Sequence, residues 1–414
     1  MFRTILESTI KRGTLTVIRA DGTEITAGSG APFVAIRLRD RVAELKLALN
    51  GGLYAGELYM DGRLIVEQGD IASFLKLATM NLAGNRASLL ARAGRALRRR
   101  LRTVAQANFP GRARRNVAHH YDLSGRLYDL FLDKDRQYSC AYFSAPGESL
   151  EDAQIGKKRH IAAKLNLDKP GLKVLDIGCG WGGLALDLAR DCRADVLGIT
   201  LSEEQVSVAR RRALKSRLSQ NCRFGLLDYR AVEGRFDRIV SVGMFEHVGV
   251  PFYRAYFGKI AELLADDGVA LVHTIGRADG PGATNAWIAK YIFPGGYAPA
   301  LSEILPAIEH AGLMVTDVEV LRLHYAETLK EWRRRFAANR AEIARLYDER
   351  FCRMWEFYLA GSEMAFRHDG QAVFQIQLAK RVDALPATRD YRLETERTRR
   401  VAGTERMPRP SRAA

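Results

Sequence analysis

The sequence predicts an α/β fold, a doubly wound parallel sheet preceded by a smaller N-terminal α+β unit. Three observations carry this. Strand-like and helix-like runs alternate between Val174 and Ile275, as in successive βαβ units. Within them, Val174-Leu-Asp-Ile-Gly-Cys-Gly-Trp-Gly-Gly183 sets apolar residues around Asp176 and then four glycines in six positions. Leu184 to Arg190 follows at helical spacing. That pattern reads as a buried strand, a tight turn and a helix start. Finally, polar residues sit where the strands end, at Thr200, Asp228, Glu246 and His273. Ligands of open α/β sheets bind beyond those carboxyl ends.

The second strand is Ala194–Leu201, followed by Ser202 as an N-cap with Gln205 three residues on, as in a capping box. The third is Cys222–Tyr229, ending in a carboxylate and an aromatic ring. The fourth, Phe236–Gly243, runs into Met244-Phe-Glu-His-Val-Gly249. The fifth, Gly268–Ile275, follows a helical Tyr253–Leu264. Gly178, Gly180 and Gly182 permit backbone conformations that a Cβ forbids and let a ligand lie against bare main chain. An ordinary βα turn would carry similar glycines; the sharper reading is a nucleotide site in a Rossmann-like sheet. A dinucleotide site expects an acid near the end of the second strand. Here that strand ends Ile199-Thr200-Leu201, and the acids come later, at Glu203 and Glu204, which disfavours NAD. The order Asp-x-Gly-x-Gly, polar strand ends, then Asp228-Tyr229 resembles class I S-adenosylmethionine methyltransferases.

The 414 residues leave room for two or three domains. No run of about 18 apolar residues is present, and Met1–Ser8 lacks the apolar core of a signal peptide. Five scattered cysteines suggest a reducing, cytoplasmic setting without a disulfide framework. A net charge of +16 favours a polyanionic partner, either nucleic acid or an anionic membrane surface.

Residues 1–85 form the first unit. Gly13–Arg19 alternates like a strand; Asp21-Gly22, Gly51-Gly52 and Asp61-Gly62 are turn signals; Ala43–Leu49 is strand-like; Ile71–Met80 is helical. The segment from Tyr54 to Leu64 resembles the small sterol-carrier-like lipid-binding domain found before some lipid methyltransferases. Residues 86–118 are a basic linker: 86–116 hold ten arginines and no acid. Leu90, Ala93, Leu97, Leu101 and Val104 recur at helical spacing, with Arg92, Arg95, Arg99 and Arg102 on other faces, which suggests an interfacial amphipathic helix or a solvated linker. The main domain is 119–385. From Pro386 the chain is Arg-rich and apolar-poor, so 386–414 reads as a disordered basic tail.

Several motifs of the main domain appear in one order: His120-Tyr-Asp122 with Tyr138-Ser-Cys-Ala-Tyr-Phe143, Leu175-Asp-Ile-Gly-Cys-Gly-Trp-Gly182, Gly198-Ile-Thr-Leu-Ser202 with Gln205, and Ser241-Val-Gly-Met-Phe-Glu-His-Val-Gly249. Together they resemble the cyclopropane-fatty-acid synthases. Trp287–Gly296 matches the motif before that family's acyl-chain pocket, helices are expected from Glu327 to Met364, and Gln371–Leu378 is expected to close the sheet as its final strand.

The resemblance implies methylene addition from S-adenosylmethionine to the cis double bond of a phospholipid acyl chain, through a carbocation, with bicarbonate as base. It carries cofactor contacts to Tyr138, Ser139, Asp176, Gly178, Gly180, Thr200, Leu201, Gln205, Asp228 and Tyr229. It places bicarbonate against the main chain of Cys140 and Ile275 and the side chains of Glu246, His273 and Tyr325. The family's Tyr-Leu-x-x-Cys helix is here Tyr358-Leu-Ala-Gly-Ser362; Ser362 is the weaker nucleophile and acid, which leaves ring and branched products open. No metal is implied. The expected partner is an anionic phospholipid bilayer rather than nucleic acid, with a homodimer possible, and the expected location is cytoplasmic, at the inner face of the membrane. Two other readings stand beside this one. A nucleic-acid methyltransferase lacks support from the absent Asn/Asp-Pro-Pro-Tyr motif. A silent lipid carrier is opposed by the intact glycine loop and Glu246.

Overall fold

The computed structural model describes residues 2–82 and 124–405. The N-terminal unit runs α1 (Phe2–Thr9), β1 (Gly13–Ile18), β2 (Glu24–Ser29), β3 (Phe33–Leu38), α2 (Arg41–Met60), β4 (Leu64–Gln68) and α3 (Ile71–Leu82). Its sheet has the order β2-β1-β3-β4, with β1 parallel to β3 and the outer pairs antiparallel. Two local expectations are corrected here. Ala43–Leu49 is helical, and Gly51-Gly52 lies inside α2 instead of at a turn. Asp40 starts this helix by accepting the Ala43 N–H at 2.9 Å, and the run of Ala, Leu, Lys and Glu that follows is strongly helix-forming. The glycine pair is preceded by a kink, where Asn50 leaves helical geometry at φ −153°, ψ 76°.

The second unit begins with α4 (Gly125–Phe131) and α5 (Leu150–Lys164). It continues through β5 (Lys173–Ile177), α6 (Gly183–Asp191), β6 (Asp195–Thr200), α7 (Glu203–Lys215), β7 (Cys222–Leu226), β8 (Phe236–Val242), α8 (Tyr253–Leu263) and β9 (Leu264–Arg277). Then come α9 (Ala286–Tyr291), α10 (Leu301–His310), β10 (Met314–Leu321), α11 (His324–Ala338), α12 (Arg340–Leu346), α13 (Glu349–His368), β11 (Gln371–Ala379) and α14 (Asp390–Glu405). The sheet order is β10-β11-β9-β8-β5-β6-β7.

Strands β5 to β9 are mutually parallel, as expected for a doubly wound sheet. The expectation fails at one side. β11 is last in sequence but lies between β9 and the edge strand β10, antiparallel to both. The reason is local: α13 delivers the chain through Gly370, at φ +69°, to the carboxyl end of β9, where Gln371 faces Arg277. From there the strand can only run back down the sheet.

The expected disordered tail, 386–414, is corrected as far as Glu405, and 406–414 lie outside the described residues. α14 docks on α5 and the β10 edge. Arg389 and Arg392 each reach Asp317 at 2.6 Å, Gln377 donates to Tyr391 Oη at 2.7 Å, and Glu396 bonds His160 Nδ1 at 2.6 Å. Matched charge replaces the apolar burial that its composition lacks. The basic segment 86–118 and residues 119–123 lie outside the described residues.

Apolar clusters line both faces of the large sheet. A third runs from the N-terminal sheet through α2 and α3 into α13, α11 and α4. It is tightly packed at Gly56 of α2, where an added Cβ would lie 2.4 Å from the Trp287 indole nitrogen. Trp287 donates that N–H to Met60 Sδ at 3.3 Å, and Lys290 and Tyr291 both donate to Glu57 Oε1. The two units thus meet over α9.

Candidate active site

The turn after β5 shapes an open cleft. Gly178, Gly180 and Gly182 all have positive φ, at 83°, 55° and 83°. Their surroundings differ. A Cβ on Gly182 would lie 2.7 Å from Phe224, and one on Gly178 would lie 2.9 Å from Met244 Cβ; one on Gly180 would meet nothing within 4 Å. The first two glycines therefore serve the protein's own packing, while Gly180 opens onto the cleft.

Tyr138, Ser139, Asp176, Gly178, Gly180, Thr200, Leu201, Gln205, Asp228 and Tyr229 all line this cleft. Ser202 caps α7 through the Gln205 N–H, at 3.3 Å. The reciprocal half of the capping box does not form: Gln205 Oε1 accepts from the Thr200 hydroxyl at 2.7 Å, and Thr200 Oγ1 takes the Ser202 N–H. Asp228 accepts the N–H, Nε and a terminal nitrogen of Arg230, whose guanidinium lies 5.3 Å from the centre of the Tyr229 ring. At the floor, Asp176 is 1% exposed and its Oδ2 has no hydrogen-bond partner. Burial raises its carboxyl to about 7, with the nearby Lys157 charge opposing.

Sequence reasoning missed Lys157, Trp181, Arg136 and His247, which also line the cleft. Trp181 is legible in hindsight, since it sits inside the glycine turn; its Nε1 donates to Glu204 at 2.8 Å. Lys157 carries no local signal, because its helical run reads as a solvated basic face. It is 1% exposed, and burial lowers its ammonium to about 8.

None of the catalytic candidates lines the cleft itself. Glu246 stands on a short 3₁₀ turn after β8, and its Oε1 accepts the Ile275 N–H at 2.6 Å. Its Oε2 has no hydrogen-bond partner, and burial raises the carboxyl to about 7. His273 shares a face of β9 with Ile275. Gln375 Nε2 donates to its Nδ1 at 3.1 Å, which leaves Nε2 to carry the ring proton; burial keeps the ring neutral. Cys140 is fully buried, on a segment tied to the start of α11: Thr328 accepts the Ala141 N–H at 3.0 Å, and His324 Nδ1 accepts the Phe143 N–H at 3.0 Å. That start carries Tyr325, which is buried between Trp332 and Phe366. Ser362 is half-buried on α13, one turn beyond Tyr358. Among the candidate donors for an anion, the Ile275 N–H is already committed to Glu246, while His273 Nε2–H, and Glu246 Oε2 when it carries a proton, can donate to one.

Tyr138 joins the cleft to an aromatic chamber. Its ring stacks on Trp332 at 5.1 Å and meets Phe131 edge-on at 6.1 Å, and its hydroxyl lies 2.9 Å from that of Tyr358. Trp355 and Phe293 pack on Tyr358 in turn.

The family model "Mycolic acid cyclopropane synthetase" matches residues 110–376. The chain belongs to this family. It is 36% identical to the cyclopropane-fatty-acyl-phospholipid synthase of Escherichia coli K12, over 86% of this chain and 90% of that protein. It is 35% identical to the tuberculostearic acid methyltransferase of Mycobacterium tuberculosis, over 91% of this chain and 90% of that one. A crystal structure of a mycolic acid cyclopropane synthase complexed with SAH superposes with a TM-score of 0.61 at 34% identity, covering 64% of this chain and 97% of the other. As a member of this family, the chain is an enzyme with the S-adenosylmethionine-dependent methyltransferase fold.

The cleft fits that cofactor on its own chemistry. Gly180 leaves open space where a side chain would stand. The unpartnered Asp176 Oδ2 suits an ammonium group. Tyr229 and Asp228 offer a ring and a carboxylate at the far strand ends. Among the described residues, no helix is long and apolar enough to cross a membrane.

Proposed function

We propose that this protein transfers a methylene group from S-adenosylmethionine to the cis double bond of unsaturated acyl chains in membrane phospholipids, forming cyclopropane fatty acids. The observation that carries the reading is the double role of Tyr138, which lines the cleft and stacks on Trp332 within the aromatic chamber. A cofactor bound against Gly180 would then meet an apolar acyl chain across a wall of rings.

When bound, the cofactor supplies an electrophilic sulfonium methyl. The chain's own residues do the rest. Phe131, Trp332, Trp355 and Tyr358 are buried and exclude water, which would quench a cation forming on the acyl chain. Their faces attract that positive charge. The ring-closing proton must leave in a site where Glu246 offers a carboxyl oxygen and His273 an Nε2–H donor that can hold a base. Bicarbonate, held by Glu246, His273 and Tyr325, would supply a base there.

A second reading is favoured by the tuberculostearic acid methyltransferase relative and by Ser362: loss of a different proton would give a methyl-branched or methylene chain. The deciding experiment is lipid mass spectrometry on cells with and without the protein, with proton NMR of any one-carbon-longer acyl chain. Ring protons support cyclopropanation; vinylic protons or a branch methyl support the second reading. No new acyl chain with active, cofactor-binding protein present would reject both.

We further propose that the protein works from the cytoplasmic face of an anionic bilayer, through the basic segment 86–118 and with the N-terminal unit contacting lipid. The net charge of +16 supports this. Co-sedimentation with phosphatidylglycerol vesicles that salt does not weaken would refute the electrostatic part.

A further inference from the structure

Tyr142 stacks on two imidazoles that the mechanism above does not use. His160 of α5 lies at 4.2 Å with planes 16° apart, and His324, at the start of α11, lies at 4.9 Å and 9°. Both nitrogens of His160 are engaged, Nε2 with Glu319 of β10 at 2.7 Å and Nδ1 with Glu396 of α14 at 2.6 Å. Bonds on both nitrogens fix the plane of the ring as well as its place. His324 is fixed too, since its Nδ1 accepts the Phe143 N–H at 3.0 Å. The three-ring stack therefore ties α14, α5 and α11 to residues 142 and 143. Those residues continue the segment that walls the cleft. Its first half has anchors of its own: Lys157 holds the side chains of Gln137 and Ser139 at 2.6 and 2.8 Å, and Gln154 donates to the Ser139 carbonyl at 3.0 Å. In its second half Thr328 accepts the Ala141 N–H and the Ala153 carbonyl accepts the Tyr142 N–H, each at 3.0 Å, and the stack adds to them. Cys140 lies where the halves meet, and Tyr325 directly follows His324.

We propose that α14 is a positioning element for the reaction: Glu396 orients His160, His160 orients Tyr142, and the stack sets Cys140 and Tyr325 in register between the 140–143 segment and the start of α11. α14 lies beyond the matched residues 110–376, so the family match assigns it no role. Within α14 the contacts divide the work. Arg389 and Arg392 dock the helix on Asp317, while Glu396 is the contact that reaches the stack. The expected consequence is a split between binding and turnover. The half of the segment that faces the cofactor cleft keeps Lys157 and Gln154, so cofactor affinity should not depend on α14. The placement of Cys140 and Tyr325 should. The turnover part of this rests on the proposed lipid methylene transfer; the ordering of the segment does not.

The test compares Glu396→Ala, Glu396→Gln and Tyr142→Leu with the parent, each in the full chain. Turnover is measured on unsaturated phospholipid at saturating S-adenosylmethionine, S-adenosylhomocysteine affinity by calorimetry, and the order of residues 140–144 by hydrogen exchange. Glu396→Ala and Tyr142→Leu are expected to lower turnover roughly 10-fold, within the range that a slightly misplaced group costs. Both should speed exchange across 140–144 several-fold and leave S-adenosylhomocysteine affinity nearly unchanged. Glutamine keeps an acceptor for His160 Nδ1–H, so Glu396→Gln is expected to stay near the parent in all three measurements. Parent turnover with parent exchange at 140–144 in Glu396→Ala would overturn the proposal. So would a turnover loss matched by an equal loss of S-adenosylhomocysteine affinity, which a general loosening of the fold produces. If Tyr142→Leu does not fold, the two Glu396 variants decide alone. A parent with no turnover on phospholipid would refute the proposed reaction, and exchange at 140–144 in Glu396→Ala would still decide the positioning: faster exchange supports it, and parent exchange overturns it.

Discussion

The Ile275 main-chain N–H donates to Glu246 Oε1 at 2.6 Å, while Glu246 Oε2 is buried without a hydrogen-bond partner. One oxygen is thus bonded to the main chain, and the proposed proton transfer would fall to the other. Glu246→Gln can keep the Oε1 bond and the side-chain shape while removing the ionisable group. Turnover should fall by roughly 10²-fold or more, the scale of a lost acid–base participant, with S-adenosylhomocysteine affinity nearly unchanged. Full turnover in a folded Glu246→Gln variant would remove Glu246 from the proton path.

Gly180 and Gly182 predict opposite outcomes for the same change. Gly180→Ala places a methyl in open cleft space, so the protein should fold at a cost of about 1–2 kcal/mol for its positive φ and bind S-adenosylhomocysteine much more weakly. Gly182→Ala would drive a methyl to 2.7 Å from Phe224, so thermal stability should fall further. Thermal melts and calorimetry on the two variants read the difference. Unchanged affinity in Gly180→Ala would move the ligand away from this turn.

Much of this site was legible because it is local. The glycine turn, the Ser202 cap and the strand ends at Thr200 and Asp228 each follow from a few consecutive residues. Lys157 was not legible, since Gln154–Arg159 looks like an exposed polar helix face until residues 135–139 fold over it. The direction of β11 depended on where α13 ends, which no strand pattern reveals. Arg389, Arg392 and Glu396 looked like tail composition because their partners, Asp317 and His160, are far away in sequence. Ala43–Leu49 misled for a different reason: its apolar residues alternate over a short run, and the Asp40 cap decided for helix.

The pH dependence of ligand binding follows from Asp176. Burial raises its carboxyl to about 7 in the free protein, and an adjacent ligand ammonium would favour the ionised form and lower it. Binding should therefore release a proton below pH 7, and affinity should fall as pH drops through that value, by up to about 10-fold per unit. Calorimetry across pH in buffers of different ionisation enthalpy measures this arm. Asp176→Asn should flatten the acid arm; an unaltered arm would assign it to another group, with Glu246 the first candidate since it also titrates near 7.

The last prediction concerns α14. His160 is sandwiched between two carboxylates, Glu319 at 2.7 Å on Nε2 and Glu396 at 2.6 Å on Nδ1, with the Tyr142 ring stacked at 4.2 Å. Burial pushes the imidazolium down, but the bonds to Glu319 and Glu396 outweigh it, so His160 titrates above its ordinary value. A raised folded value means that the protonated bridge stabilises the docked helix fully below about pH 6.5, the ordinary histidine value. That contribution is lost as pH rises through the folded value. Lys164 also faces Glu319, and the pairs of Arg389 and Arg392 with Asp317 hold the helix in part. Hydrogen exchange of residues 390–398, corrected for its intrinsic pH dependence, should therefore accelerate several-fold above the transition without reaching the unfolded rate. Glu396→Gln should abolish most of the pH dependence and leave the Asp317 pairs intact. If exchange in this helix is the same on both sides of the transition, His160 is a passive core residue and the arginines alone dock α14.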